Sequence, residues 1–299
     1  MKSRVRMVEV SPRDGLQNEP TLVPVNVKVE LIEKLGDCGF ETIESTSFVS
    51  PKWVPQLADA ESVMRNLRRR PGVRYPVLVP NEQGYARARA AGAMEIAVFT
   101  AASEAFNQRN VNASVDESIA RFEPVIERAI SEGVAVRGYV STVLGCPYQG
   151  EVPLADVVRV AERLHRLGCA EISLGDTIGV GTPLKARAMF RAVAEAVPMD
   201  ALAIHFHDTY GQALANILAC LEEGAGIVDA AVAGTGGCPY ARGSSGNVAS
   251  EDVVYMLHGM GIETGIDLEA LVATGHWLAQ QLGRATGSRV GRATVQETA

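Results

Sequence analysis

From Arg4 to Gly234 the chain repeats one alternation, a short apolar run followed by a longer stretch with helical periodicity, and no other feature restricts the fold so narrowly. The runs are "RVRMVEV" (4–10), "TIESTSF" (42–48), "YPVLVP" (75–80), "EIAVFTA" (95–101), "VAVRGYVS" (134–141), "AEISLGD" (170–176), "ALAIHFHD" (201–208) and "VDAAVAG" (228–234). Each is apolar throughout or alternates with period two, as buried strands do. Between them lie patterns such as "VKVELIEKLGDCG", "VDESIARFEPVIERAISEG" and "PLADVVRVAERLHRLG", many ending at Gly, which readily takes the left-handed conformation that stops a helix. Eight such units, with no dinucleotide glycine fingerprint after the first strand, predict an α/β fold of the closed (β/α)8 TIM-barrel type rather than an open sheet. "LEALVATGHWLAQQLG" predicts an additional C-terminal helix. No Pro/Gly/Ser-rich linker divides the chain, so residues 1–299 are expected to form a single domain, with the barrel over 4–260 and a helical extension over 261–299.

Composition excludes several function classes. With 47% hydrophobic and 21% charged residues the chain is globular rather than disordered. A net charge of −7 provides no overall field for nucleic acid or an anionic membrane, and no segment is apolar for long enough to span a bilayer. The basic run "RNLRRR" (65–70) is expected to end a helix, where positive charge complements the helix dipole. Five cysteines, an odd number without zinc-type spacing, suggest free thiols in a reducing compartment; with no h-region behind "MKSRVR", the expected location is cytoplasmic.

In a barrel of this kind the chemistry sits at the C-terminal ends of the strands and in the loops that follow. His205 and His207, two apart in "IHFHD", share one face of a strand and suit a common metal ion. In "SPRDGLQNE" the first strand breaks at Arg13 and Asp14; Asp14 could complete a metal site and Arg13 stabilise an oxyanion, against the alternative of an ordinary turn with a solvated ion pair. Glu44 interrupts the second strand and on alternation shares a face with Thr42 and Thr46, so as a carboxylate inside the barrel it needs Arg13 or a metal-linked network as partner. Asp176 ends the sixth strand, and Thr182-Pro183 opens the next helix. Asn247 either caps the helix that follows it or turns its oxygen to a metal. Two histidines with Asp and Asn oxygens favour octahedral Mg²⁺ or Mn²⁺ over Zn²⁺. Cys238 lies in the glycine-rich loop "GTGGCPYARGSSGN", a setting that buries a thiol poorly; Cys146, in "LGCPYQG", is read as structural.

With these elements on one rim, the chain resembles the 3-hydroxy-3-methylglutaryl-CoA lyase family nearly from end to end. The resemblance is carried by "VEVSPRDGLQNE", "ESTSFVSPKWVPQ", "RGYVSTVLGCPY", "EISLGDTIGVGTP", "HFHDTYGQALAN" and "AGTGGCPYARGSSGNVASEDVVYML". It implies Asp14, His205, His207 and Asn247 as ligands of a divalent cation. It implies Arg13, Glu44, Asp176, His205 and Cys238 as catalytic positions, and Arg13, Gln17 and Tyr139 as substrate contacts. The implied reaction is retro-Claisen cleavage of 3-hydroxy-3-methylglutaryl-CoA to acetyl-CoA and acetoacetate, in leucine degradation and ketone-body formation, by a homodimer or other homo-oligomer. Such a cleavage needs loss of the alcohol proton, to Glu44, Asp176 or His205, shelter for an enolate, and a proton returned to carbon, for which a thiol mostly protonated near neutrality suits Cys238. No phosphate-binding motif is present; Lys52, Arg109, Asn110 and the residues after Asn18 are candidates for the CoA phosphates, and Pro20 stands where members of the family can carry a lysine. A lyase or Claisen-type synthase for a related acyl-CoA or 2-oxo acid, and a non-catalytic binding protein, are the competing readings.

Overall fold

The structure, a computed structural model, describes residues 1–237 and 246–294. Among the described residues there are eight parallel strands: β1 (Arg6–Glu9), β2 (Thr46–Ser47), β3 (Val77–Leu78), β4 (Glu95–Ala101), β5 (Ala135–Ser141), β6 (Glu171–Asp176), β7 (Leu202–Phe206) and β8 (Ile227–Ala230). They run in the order β1-β8-β7-β6-β5-β4-β3-β2. The β1–β2 seam closes through a single parallel bridge, Glu9 with Ile43, and two amide bonds, Glu9 N–H to Thr42 O (3.0 Å) and Glu44 N–H to Glu9 O (2.9 Å). The expected (β/α)8 barrel is the observed fold.

The helices are α1 (Val25–Asp37), α2 (Ala60–Asn66), α3 (Glu82–Ala90), α4 (Glu104–Val111), α5 (Val115–Ser131), α6 (Leu154–Arg166), α7 (Pro183–Ala194), α8 (Ala213–Glu222), α9 (Ser250–Gly259), α10 (Leu268–Gln281) and α11 (Arg289–Ala293). Local chemistry sets their starts. Ser114 and Glu117 form a reciprocal capping box on α5, Asn81 caps α3, and Pro183, with its pre-set φ, begins α7. On α6, Val157, Val160, Ala161 and Leu164 recur at helical spacing and are the buried face.

The strands separate two layers. Outward side chains such as Ile96, Val98, Val136, Ile172 and Ile204 join the helices in one large core. Inward, small clusters (Val8, Val10, Ala203, Ile227, Ala231; and Leu78, Ala97, Tyr139) share the interior with ion pairs joining Glu171 to Arg6 and to Arg137.

Three expectations change. Alternation does not hold through β2: Thr42 pairs with Arg74 but Thr46 with Val77, four residues against three, so a bulge interrupts the strand around Glu44. Ser47, not Thr46, is then in register with the inward Leu78. The Arg65–Arg70 run does not end α2 as a unit, because the helix stops at Asn66 and leaves only Arg65 in its last turn; Arg70 instead pairs with Asp37. Beyond α10 there is a second short helix, α11. Ser288 caps it, and Asp252 accepts Ser288 Oγ (2.7 Å) and the Arg289 and Val290 amides. The segment leading into α11 donates Gly287 N–H to Ala233 O (2.8 Å), which draws the C-terminal extension onto the loop after β8.

Candidate functional site

The site begins where β1 ends. Residues Ser11–Gly15 form one π turn in which the Val10 carbonyl accepts the amides of Arg13 (3.2 Å), Asp14 (2.8 Å) and Gly15 (3.2 Å). Wide turns of this kind recur at functional sites. Gly15 is required by space, since a Cβ there would collide with Thr235 Oγ1 and reach Ser11 Cβ at 3.1 Å. The turn presents Arg13 and Asp14 side by side, Arg13 Nη1 donating to Asp14 Oδ1 at 2.5 Å.

Arg13 Nε donates to Glu44 Oε2 (2.7 Å), and Tyr139 Oη donates to the same oxygen (3.1 Å). The partner foreseen for Glu44 is therefore Arg13. Glu44 Oε1 is buried without a hydrogen-bond partner among the described residues. Burial pushes the Glu44 carboxyl above the usual range even though Arg13 pulls the other way. Burial disfavours the Arg13 charge, yet Glu44 and Asp14 outweigh it and hold the guanidinium firmly protonated.

Asp14, His205 and His207 each offer one ligand atom, all within 4.8 Å of one another. Asp14 Oδ2 lies 3.8 Å from His205 Nε2 and 4.0 Å from His207 Nε2. Atoms bound to one cation at about 2.1 Å stand roughly 3–4 Å apart, so the group fits a divalent ion. Burial opposes the Asp14 charge, but Arg13 and both imidazoles overcome it and hold the carboxyl well below its ordinary range. Burial, with His205 beside it, lowers His207 to about 4, leaving a neutral imidazole with a lone pair to offer. Asn247 does not cap α9; Ala249 holds that position. Its amide lies against the group instead, donating Nδ2 to Asp14 Oδ2 (2.8 Å) and Thr235 O (3.1 Å).

Asp176 is oriented differently. Its Oδ1 accepts the Val180 amide (3.2 Å) and its Oδ2 the Gly181 amide (2.8 Å), closing the turn after β6, and burial raises its carboxyl to about 6. Gln17 is half-buried two residues past the π turn. Cys238 lies outside the described residues. Cys146 is buried and accepts from Ser103 Oγ (3.0 Å). Of the CoA-phosphate candidates, Arg109 sits over the Tyr148 ring (4.3 Å) and Lys52 over Trp53 (5.7 Å).

Two charged residues beneath the site were not singled out in the sequence. Asp229 on β8 faces His205 Nδ1 through Oδ2 (3.1 Å), and Arg137 on β5 donates Nη2 to Asp229 Oδ1 (2.6 Å) and Nη1 to Tyr139 Oη (3.0 Å). Burial works against the Asp229 charge, but Arg137 and His205 hold its carboxyl down at about 2. A lone carboxylate within the apolar run "VDAAVAG", like an arginine within "VAVRGYVS", was the available signal.

Among the described residues no helix is long and apolar enough to cross a membrane. The chain is 55% identical over 293 residues to the mitochondrial hydroxymethylglutaryl-CoA lyase of Bos taurus, covering 98% of this chain and 90% of that protein. It superimposes on the crystal structure of hydroxymethylglutaryl-CoA lyase from Pseudomonas aeruginosa with a TM-score of 0.96 at 54% identity, covering 98% of each chain. An HMG-CoA lyase of Acinetobacter baumannii, solved in complex with coenzyme A and 3-methylmalate, matches with a TM-score of 0.94 at 38% identity, over 99% of this chain and 97% of that one. A sequence model of the HMGL-like family matches residues 4–277, and the chain belongs to that family.

Proposed function

We propose that this chain is a divalent-metal-dependent carbon–carbon lyase that cleaves 3-hydroxy-3-methylglutaryl-CoA to acetyl-CoA and acetoacetate by a retro-Claisen route. The observation that carries this reading is the meeting, on one barrel rim, of a metal-type group (Asp14, His205, His207) with a buried Arg13–Glu44 pair that shares Asp14 as neighbour. The relatives named as lyases of this substrate and the homologous coenzyme A complex support it. We assign residues 4–260 to the barrel and 261–299 to its extension within one domain, working as a homo-oligomer in the cytoplasm, where the buried free thiols at positions 38, 146, 169 and 220 stay reduced.

Mg²⁺ or Mn²⁺ held by Asp14, His205, His207 and the Asn247 side chain would supply positive charge that acidifies the substrate alcohol and fixes its orientation. Of the three candidate proton acceptors, His205 has Nδ1 against Asp229 and Nε2 in the ligand group, and Asp176 has both oxygens on backbone amides. Of the three, Glu44 alone keeps an oxygen with no partner among the described residues, and its raised pKa brings it closer to the value at which a general base works best. We therefore assign the alcohol proton to Glu44 Oε1. Arg13, with Nε on Glu44 and Nη1 on Asp14, keeps Nη2 to stabilise the enolate oxygen. Tyr139 fixes Glu44 through the same oxygen that Arg13 holds, Gln17 contacts substrate at the mouth, and Cys238 returns a proton to the enolate carbon. The test is direct: purified protein with Mn²⁺ or Mg²⁺ is given the thioester and acetyl-CoA is quantified by chromatography. Product is expected, and none under these conditions would sink the lyase reading.

A further inference from the structure

His205 and His207 lie two residues apart on one strand face, yet their rings are held in different ways. His207 Nδ1 is buried and has no hydrogen-bond partner among the described residues, so no hydrogen bond from them at that nitrogen fixes the ring. His205 Nδ1 lies 3.1 Å from Asp229 Oδ2. His205 and Asp229 are also register partners between β7 and β8, so backbone pairing itself sets the imidazole and the carboxylate side by side inside the barrel.

The environment of Asp229 fixes where the imidazole proton resides. Asp229 is 1% exposed. Its Oδ1 accepts from Arg137 Nη2 at 2.6 Å, and its Oδ2 accepts from Ser173 Oγ at 2.8 Å. A carboxylate ion-paired to a buried guanidinium has only lone pairs to offer, so the contact with His205 requires a hydrogen on Nδ1. In the neutral ring Nε2 then carries the free lone pair, and Nε2 is the atom turned toward Asp14 Oδ2.

We propose that Asp229 is a positioning residue for the metal group, holding His205 as the Nδ1–H tautomer so that its Nε2 lone pair faces Asp14 and His207. This rests on the reading of Asp14, His205 and His207 as cation ligands. Partners of this sort on the far side of a ligating histidine typically change metal affinity by about 10–100-fold when removed. Among the described residues His207 has no equivalent brace, so the loss should fall on one ligand and leave a weakened site rather than an abolished one.

The experiment is an EPR titration of metal-stripped protein with Mn²⁺, which needs no turnover. In Asp229→Asn the dissociation constant is expected to rise about 10–100-fold, and a sufficient excess of Mn²⁺ should bring kcat back toward the wild-type value, which a merely structural lesion would not allow. Ser173→Ala, which removes only the neutral donor on Oδ2, is expected to weaken Mn²⁺ by a smaller factor. The ¹⁵N shifts of His205 in the wild-type protein report the tautomer directly and keep the proposal testable if Asp229→Asn fails to fold. Wild-type Mn²⁺ affinity in a folded Asp229→Asn protein, or an Nε2–H tautomer in the metal-free wild type, would overturn it. A wild type that binds no Mn²⁺ at all would instead sink the metal reading, and the tautomer measurement would still decide the role of Asp229.

Discussion

Replacing Glu251 with glutamine should make the protein more stable in alkali and leave it unchanged in acid. Glu251, the second residue of α9, is fully buried and accepts the amide of Ala233 at 3.0 and 3.1 Å. Ala233 has φ of +58°, a left-handed conformation that strains any residue with a Cβ, so this carboxyl braces the turn that leads into Thr235 and the glycine loop. Burial raises the Glu251 carboxyl from 4.5 to about 8, with nearby Glu9 and Asp252 adding repulsion. The sign follows from proton linkage. Below pH 4.5 the group is protonated both folded and unfolded and contributes nothing. Between 4.5 and about 8 the unfolded chain has released a proton that the native state retains, so stability falls as pH rises, and above about 8 the loss is complete. At about 1.4 kcal/mol per pH unit, the interval corresponds to roughly 5 kcal/mol as an order of magnitude. Glutamine keeps an oxygen for the Ala233 amide and cannot ionise. Urea unfolding followed by circular dichroism at pH 5 and pH 9 should therefore give similar free energies for the two proteins in acid and a more stable Glu251→Gln protein in alkali. Equal stability at both pH values, or a variant less stable at pH 9, would refute the raised carboxyl.

Glu44→Gln removes both one ionic partner of Arg13 and the assigned base; kcat should fall by about 10²–10⁴-fold with Mn²⁺ affinity within a few-fold of wild type, and near-normal kcat would transfer the base role elsewhere. Tyr139→Phe deletes one hydrogen bond to Glu44, for which a loss of about 1 kcal/mol, or roughly 5-fold in kcat/KM, is expected in steady-state assays. Gly15→Ala drives a methyl group into Thr235 Oγ1, and should lower the Tm and the activity together in thermal and turnover measurements; a stable, active variant would show that the π turn can widen at little cost. Cys238→Ser should lose most turnover while titrating Mn²⁺ normally, and full activity would remove the thiol from the proton-return step.

The barrel was legible because each strand announces itself within a few residues: "EIAVFTA" and "EISLGD" need no distant information to read as buried strands. Arg13, Asp14, His205 and His207 were legible for a related reason, as polar residues at the ends of such runs. Glu44 was found, but its surroundings were misread, since the bulge depends on how many residues β3 sets against β2, a count made between strands and not along one. Asp229 escaped attention because its partners Ser173, Arg137 and His205 lie 56, 92 and 24 residues away. Asp176 could be placed at the rim, yet the direction of its carboxylate was decided by the backbone amides of Val180 and Gly181, whose turn geometry has no periodic signature.

Of the strand junctions around the barrel, the one between β1 and β2 has the least backbone to hold it, a single bridging pair. Arg13 emerges from one side of that junction and Glu44 from the other, so their ion pair works as a latch across the cylinder's weakest join. Any ligand that competes for the guanidinium of Arg13 thereby loosens the latch, and the amides of Glu9 and Glu44 become the places where hydrogen exchange should first register occupancy. The same two charges to which the proposed mechanism assigns the chemistry would then report on the closure of the cylinder, making its seam a gauge of what the mouth contains.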